Sequence, residues 1–444
     1  MSLTRTLRVV SGAVLAGALV LTAAPVAAAD QVRDDQWPLR AFEAEAIWKI
    51  STGKGVTVAV IDEGVDSDHV DLKGNVIQGK DFIDGDASSL PEGGDAHGTA
   101  MASIIAGHGH GPGNADGVMG LAPGAEILSI RDTGDAQEGF GPSIRYAVDH
   151  GASVINISQQ ISNGSTAEEE AVAYALKKDV LIVAGTGNDG GGREAWKYPA
   201  SDSGVLPVGA VQNSGEIWEK SNYGQGLLLT APGTHIVSAG GGNASFPYRS
   251  ANGTSDATAY TSAAVALLRA KFPDLTVGQL VNRLTKTAGL PAAAKGTDLP
   301  DDHYGYGFIQ PLAALKQEIP AGSKYGPLSV PESLKEGAPG ATAPKDNSTA
   351  SDDAASSSSS DNGLVLAVVG LAGLIVVVLV ILLIVKIARR GKRNNGGPGG
   401  PGGPGWGGDG QPQYGQPPHQ PQYQQGGGNP YQQQSQAPGR WPNQ

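Results

Sequence analysis

The sequence predicts an α/β domain with a mostly parallel sheet and helices on both faces. Two runs of β-branched and small apolar residues, Val56–Ile61 and Val180–Ala184, are typical of buried parallel strands. Two runs of small and apolar residues, Ala100–Ala106 and Asp256–Arg269, are typical of helices. Because sites in open α/β sheets form at the carboxyl ends of strands, residues that follow the strand runs are the first candidates for function.

Two candidate catalytic residues, Asp62 and His97, stand next to these elements. Asp62 follows the first strand run, and His97 opens the segment HGTAMA that leads into Ala100–Ala106. Small residues after His97 let its backbone pack against the strand that carries Asp62. A turn aspartate before Gly64 is the alternative for Asp62. An ordinary interior or surface histidine is the alternative for His97.

Ser255 comes directly before the second helical run and follows Gly253 and Thr254. A serine at a helix start is most often an N-cap. The unpaired N–H groups and positive dipole of such a start also stabilise a developing oxyanion. Because a serine hydroxyl is a poor nucleophile at neutral pH, it needs an imidazole to take its proton and a buried carboxylate to orient that imidazole. His97 and Asp62 supply one candidate for each role.

Seven short stretches form an ordered series along the chain: Val58–Asp66, His97–Ala102, Val154–Ser158, Val183–Gly190, Tyr198–Val211, Ala231–Ala239 and Gly253–Ser255. Three of them resemble the active-site signatures of the subtilisin family of serine proteases, in the order Asp, His, Ser that this family has. The others resemble its substrate-binding strand, its oxyanion segment and two framework stretches. The resemblance extends over Trp37 to Leu315.

The resemblance implies a subtilisin-like three-layer domain and a serine endopeptidase that uses no cofactor. It implies a catalytic triad of Asp62, His97 and Ser255. It also implies two sets of supporting residues: Asn188 as the second oxyanion donor, and Ser158, Gln159 and Gly187 along the substrate cleft.

The chain departs from the family pattern beside the nucleophile and in the substrate strand. Asp256 follows Ser255 where the family usually has a hydrophobic or small residue. The proline that the family has shortly after the nucleophile is absent between Ser255 and Tyr260. This acid suits the helix dipole but brings negative charge close to the oxyanion. Gln159 and Gln160 stand where the family more often has Leu and Gly, which predicts a narrower and more polar cleft edge.

The composition narrows the classes of site and partner. The 444 residues include no cysteine, which excludes disulfides and thiolate metal sites, and the net charge of −12 argues against nucleic-acid binding. His108 and His110, and acidic loop residues such as Asp84 and Asp86, leave a cation such as structural calcium open as an alternative. A solvent-exposed loop and scattered surface carboxylates are the commoner explanations. We therefore expect no metal site.

Two segments outside the domain predict export and membrane anchoring. Residues 1–29 combine basic residues, an apolar core and a small-residue end, as in a secretory signal peptide, with a first membrane anchor as the alternative. Leu364–Val385 is uncharged and long enough to cross a bilayer, and basic residues follow it, which predicts a cytoplasmic C-terminus. A buried core helix is the alternative. The predicted order is signal peptide 1–29, peptidase domain 30–320, disordered stalk 321–362, transmembrane helix 363–388 and disordered cytoplasmic tail 389–444.

This order of segments resembles the mycosins, membrane-anchored proteases associated with type VII secretion, and Asp34–Asp66 is similar to the mycosin entry into the domain. The resemblance implies an extracytoplasmic endopeptidase on a single-pass anchor, with polypeptide substrates and secretion-complex membrane proteins as partners. The departures at Asp256 and Gln159 motivate an alternative. In that alternative the protein is a scaffold or gating subunit of a secretion complex with weak or dispensable proteolysis.

Overall fold

A seven-stranded parallel sheet forms the centre of the computed structural model, which describes residues 29–85, 88–240 and 247–335. The strands in these ranges are β1 Thr57–Asp62, β2 Val76–Asp81, β3 His108–His110, β4 Asp116–Met119, β5 Glu126–Arg131, β6 Val154–Ile157, β7 Leu181–Gly185, β8 Val205–Val211, β9 Leu229–Pro232, β10 Ile236–Ala239 and β11 Tyr248–Ala251. The α-helices are α1 Ala29–Asp35, α2 Trp37–Ala41, α3 Ala44–Trp48, α4 His97–Ala106, α5 Gly141–Asp149, α6 Thr166–Lys177, α7 Thr254–Lys271, α8 Val277–Lys286 and α9 Pro311–Lys316.

The strand order in the main sheet is β2-β5-β1-β6-β7-β8-β9, and every pairing within it is parallel. The inner strands β6, β7 and β8 are buried along their whole length, as expected for strands covered on both faces. Two antiparallel hairpins, β3-β4 and β10-β11, lie outside this sheet. The two strand runs predicted from the sequence are β1 and β7, each within one residue of its predicted bounds.

Helices cover both faces of the sheet, and β1 shows the division. Val58 and Val60 pack in the core shared with α4 and α7, whereas Ala59 and Ile61 pack in the core shared with α5 and α6. Successive side chains of a strand point to opposite faces, so β1 contributes to both cores. The predicted α/β architecture with a mostly parallel sheet is confirmed.

Helix α7 runs through the interior against β6, β7, β8 and β9. Apart from Ser255, its side chains are buried on all sides as far as Leu268, and most of them are small. Thr258 and Thr261 each donate a hydrogen bond to the carbonyl four residues earlier, so their hydroxyls need no outside partner. The helix can therefore lie deep in the protein and bring its N-terminus to the edge of the sheet.

The N-terminal segment is tied to the domain by side-chain bonds to backbone atoms. Gln36 is fully buried, donates from Nε2 to the carbonyl of Met119 at 2.9 Å and accepts from its N–H at 2.9 Å. Trp37 Nε1 donates to the carbonyl of Thr234 at 2.9 Å, and Arg33 Nε donates to that of Gly117 at 3.1 Å. The segment is thus joined to the β3-β4 hairpin and to the loop before β10.

The packed chain continues past Ala321, where the composition predicted the start of the stalk. Asn282 Nδ2 donates to the carbonyl of Ala321 at 3.3 Å, and Leu328 is 5% exposed. Two apolar side chains in this Gly- and Pro-containing stretch, Tyr325 and Leu328, join the core. The predicted boundary is therefore too early, and residues 321–335 belong to the domain.

The predicted transmembrane helix, the cytoplasmic tail, the rest of the stalk and all but the last residue of the predicted signal peptide lie outside the described residues. Among the residues that are described, no helix has the length and apolar character needed to cross a bilayer.

We predict that Gln36→Ala destabilises the domain by about 1–3 kcal/mol, because the partly buried N–H and carbonyl of Met119 lose the partners that Gln36 provides. Denaturant unfolding at constant m-value measures this loss. Arg40→Ala, an exposed change in the same segment, is the matched control and should stay within about 0.5 kcal/mol of wild type. Equal stability of the two variants would show that the Gln36 bonds contribute nothing.

Candidate active site

The predicted site residues lie at the carboxyl edge of the parallel sheet. Asp62 is the last residue of β1, Ser158 follows β6, and Asn188 follows β7 within three residues. His97 is the first residue of α4, and Ser255 is the second residue of α7. Because β1, β6 and β7 are adjacent and parallel, their ends meet at one edge of the sheet, as is usual for sites in this fold class.

Asp62 and His97 are hydrogen-bonded to each other. His97 Nδ1 lies 2.8 Å from Asp62 Oδ1 and 3.0 Å from Oδ2. Asp62 Oδ1 also accepts from the N–H of Glu63 at 2.9 Å and from Nε2 of Gln159 at 3.2 Å. The carboxylate is fully buried, while the imidazole keeps 24% of its side-chain surface exposed. Since Nδ1 donates to Asp62, the other ring nitrogen, Nε2, is left to accept a proton.

The environment shifts the proton affinities of both partners. Burial raises the pKa of Asp62, but the charge and hydrogen bond of His97 and the bonds from Glu63 and Gln159 outweigh it and lower the pKa below its usual value. Burial lowers the pKa of His97, and the charge and hydrogen bond of Asp62 reverse this and raise it. The arrangement therefore stabilises an imidazolium beside an ionised carboxylate.

The Ser255 hydroxyl faces the end of β6. Ser255 Oγ donates to the carbonyl of Ser158 at 3.2 Å, and Ser158 Oγ donates to the carbonyl of Ser255 at 3.2 Å. Helix α7 begins at Thr254 with Gly253 as its N-cap, so the N-cap alternative for Ser255 is wrong. In the described part of the chain, this hydroxyl is bonded to the Ser158 carbonyl and not to His97.

Asn188 presents its amide nitrogen next to the start of α7. Its Oδ1 accepts from the N–H of Thr254 at 2.9 Å and from Thr254 Oγ1 at 3.0 Å. These two bonds fix the orientation of the amide and leave Nδ2 as a donor. A Cβ atom added at Gly253 would lie 3.5 Å from Ser255 N and 3.7 Å from Asn188 Nδ2. The two nitrogens thus border the same small space, as oxyanion donors must.

Polar groups lie at the ends of β6 and β7, near Ser255. Gln159, assigned to the substrate cleft from the sequence, contacts Asp62 instead of only lining the cleft. Gln160 Nε2 reaches across to the carbonyl of Gly185 at 3.1 Å. Gly187 has a φ of 115°, and its N–H donates to Thr254 Oγ1 at 3.2 Å. Two glutamine side chains therefore lie at the ends of these strands, and the narrower and more polar cleft edge stays a prediction.

Two acidic residues next to the dyad of Asp62 and His97, namely Glu63 and Asp95, were not singled out from the sequence. Asp95 Oδ1 accepts from the N–H of Ala96 at 2.9 Å, at the start of α4. Burial, together with the neighbouring carboxylates Asp95 and Asp62, raises the pKa of Glu63 to about 7. The acids in EGVD and DAHG were visible in the sequence, but their proximity depends on α4 packing against β1.

The acidic and histidine residues considered as cation ligands have protein partners. Asp84 lies with Asp81 and Glu92 in a group that could hold a metal ion, and Arg131 pairs with all three. His110 Nδ1 lies 2.6 Å from Asp71 Oδ1, and His108 Nε2 lies 3.1 Å from the carbonyl of Lys73. Asp86 lies outside the described residues. Arg131 supplies the positive charge that the acidic group requires.

Comparisons with known proteins identify the family of this chain. The model of the subtilase family, peptidase family S8, matches residues 53–307, which is more than half of the chain. This chain belongs to the subtilase family. It is 35% identical to mycosin-1 of Mycobacterium tuberculosis over 344 residues, which cover 64% of this chain and 73% of mycosin-1. It is 35% identical to subtilisin DY of Bacillus licheniformis over 271 residues, covering 60% of this chain and 92% of subtilisin DY.

A solved structure extends the likeness to three dimensions. The crystal structure of MycP1 with the N-terminal propeptide removed matches this subtilase with a TM-score of 0.55 and 33% sequence identity. The match covers 65% of this chain and 99% of that chain. The predictions of a subtilisin-like fold, of a serine protease and of a relationship to the mycosins are thereby confirmed.

We predict that Asp62→Asn lowers the pKa of His97 in this subtilase, because it removes the negative charge that stabilises the imidazolium. Titration of the imidazole by NMR measures the shift. Asp68→Asn, which neutralises an exposed acid paired with Lys73, serves as the control and should leave the titration unchanged. An unchanged His97 pKa in Asp62→Asn would contradict the role of the dyad hydrogen bond.

Proposed function

We propose that this subtilase is a membrane-anchored extracytoplasmic endopeptidase that hydrolyses peptide bonds through a triad of Asp62, His97 and Ser255. The observation that carries the proposal is the hydrogen bond of 2.8 Å between His97 Nδ1 and the buried Asp62 carboxylate. Such a pair holds an imidazole in the tautomer that can act as a general base. Ser255 starts the neighbouring helix, and Asn188 lies beside it.

In the proposed reaction, the Ser255 hydroxyl turns from the Ser158 carbonyl towards His97 when a peptide binds. His97 Nε2 takes the hydroxyl proton as Ser255 Oγ attacks the carbonyl carbon of the scissile bond. Asp62 stabilises the resulting imidazolium. Asn188 Nδ2 and the Ser255 N–H donate to the oxyanion of the tetrahedral intermediate. The imidazolium then gives its proton to the leaving amine, and a water molecule activated by His97 releases the acyl group.

The proposed reaction requires the Ser255 hydroxyl to change its orientation by rotation about χ1. Ser255 Oγ is held by a single hydrogen bond to the Ser158 carbonyl, at 3.2 Å. Catalytic hydrogen bonds are often long or misaligned without substrate and tighten in the complex. Rotation about χ1 moves the hydroxyl between staggered positions without moving the helix.

We predict that a fluorophosphonate probe labels the wild-type ectodomain and that Ser255→Ala abolishes labelling and peptide hydrolysis. The probe reacts with a serine that is activated by a base and supported by oxyanion donors. Intact-mass analysis after incubation with the probe makes the measurement. Ser214→Ala, an exposed serine in a turn, is the control and should label as wild type does. A folded wild-type ectodomain that takes up no probe would contradict the triad.

We further propose that the protease acts at the outer face of the membrane in type VII secretion. The support is the predicted signal peptide at 1–29, the uncharged stretch Leu364–Val385 and the basic residues that follow it. The similarity to mycosin-1 adds to it. A related solved structure is described as MycP1, a serine protease and an essential component of the type VII (ESX-1) secretion system.

A second candidate function is that of a scaffold or gating subunit in which proteolysis is weak or dispensable. The bond of Ser255 Oγ to the Ser158 carbonyl and the acid at position 256 favour this candidate. In a host that lacks the gene and has a secretion defect, we predict that Ser255→Ala does not restore secretion although it reaches the membrane fraction. Full restoration by Ser255→Ala would favour the scaffold.

A chain truncated after residue 362 should leave the membrane fraction, and its retention there would contradict the anchor.

A further inference from the structure

Asp256, the residue after the proposed nucleophile, is a buried acid that the proposed mechanism does not use. It lies in the first turn of α7 and is 2% exposed. Its Oδ1 has no hydrogen-bond partner among the described residues. An acid in the first turn of a helix is usually placed in solvent, where the dipole stabilises its charge at little cost. A buried carboxylate oxygen without a partner is costly and requires an explanation.

The other carboxylate oxygen of Asp256 lies close to the proposed oxyanion donors. A Cβ atom added at Gly253 would lie 3.4 Å from Asp256 Oδ2, 3.5 Å from Ser255 N and 3.7 Å from Asn188 Nδ2. The acceptor and the two donors therefore all lie within 3.7 Å of one point. A negative charge at Asp256 lies close to where negative charge develops in the reaction, and the protein interior screens such a repulsion poorly.

The charged and titratable groups around Asp256 come from three elements. Arg249 on β11 and His97 on α4 both favour its ionised form. Tyr260 lies one turn later on α7, and its buried hydroxyl has no hydrogen-bond partner among the described residues. Burial outweighs the two cations and raises the pKa of Asp256 to about 6. In return, the Asp256 charge contributes to raising the pKa of His97. The carboxylate and the imidazole are thus coupled electrostatically.

We propose that Asp256 is a positioning residue that restrains the active site by its charge, opposing the oxyanion and holding a proton on His97. The proposal rests on the proposed function, because it assumes that His97 and the two nitrogens serve the same reaction. The restraint grows as Asp256 ionises, over the pH range in which His97 must lose its proton to act as a base. A pH high enough to deprotonate His97 also ionises Asp256. Turnover at neutral pH is therefore slower than the triad alone permits.

The test is Asp256→Asn, which keeps the shape of the side chain and removes its charge, with Asp256→Ser as a second neutral variant. We expect kcat on a peptide substrate to rise on the order of tenfold at neutral pH, with KM within about twofold, because the charge acts on the transition state. We expect the apparent pKa of the acidic limb of the profile of kcat against pH to fall by about one unit. The reason is that the charge of Asp256 no longer stabilises the protonated form of His97. NMR titration of His97 should show the same fall.

Asn188→Ala is the matched comparison, because it removes a neutral donor from the same space. It should lower kcat and leave the acidic limb of the pH profile where it is in wild type. If both neutral Asp256 variants keep the wild-type kcat and acidic limb, or lose activity without moving that limb, the restraint does not exist. If wild type has no Ser255-dependent activity, the proposed function fails. The NMR titration then still decides whether Asp256 is coupled to His97.

Discussion

Burying the Asp62 carboxylate costs several kcal/mol unless a cation and hydrogen bonds compensate, and the carboxyl edge of the sheet supplies both. His97 provides the partner that becomes cationic, while the Glu63 N–H and Gln159 complete the bonds to Oδ1. Because the carboxylate is fully buried, the dyad has one geometry and little freedom to leave it. Helix α4, strand β1 and the residues after β6 each contribute a group to this arrangement.

Close backbone approach is what permits that geometry. A Cβ atom at Gly98 would collide with the carbonyl oxygen of Gly64 and come within 3.1 Å of Asp62 Cβ. The glycine after His97 therefore lets α4 begin directly above the end of β1. On the other side of the site, the small residues of α7 let it cross β6, β7, β8 and β9 and place Ser255 and the Asn188 contacts at the same edge. The active site is thus a consequence of tight packing between layers.

The site also carries more negative charge than one triad needs. Glu63, Asp95 and Asp256 lie close to the dyad, and burial raises the pKa of Glu63 and of Asp256. Such acids raise the proton affinity of a neighbouring imidazole and oppose an oxyanion. In the proposed mechanism Ser255 carries out the reaction and Asp256 slows it, and both residues lie in the first turn of α7.

The sequence by itself determined the fold class and the elements β1, β7, α4 and α7, because periodicity and small-residue frames are local properties. The resemblance of its motifs to the subtilisin family supplied the full set of candidate residues. Composition predicted the end of the domain too early, at residue 320, because Tyr325 and Leu328 join the core from a stretch rich in loop-forming residues. Only the tertiary structure decided that Gln159 bonds to Asp62, that Ser255 Oγ faces Ser158, and that Asp256 lies close to the proposed oxyanion donors. These contacts join residues far apart in the chain or depend on the direction of one side chain, and neither property is encoded in a local pattern.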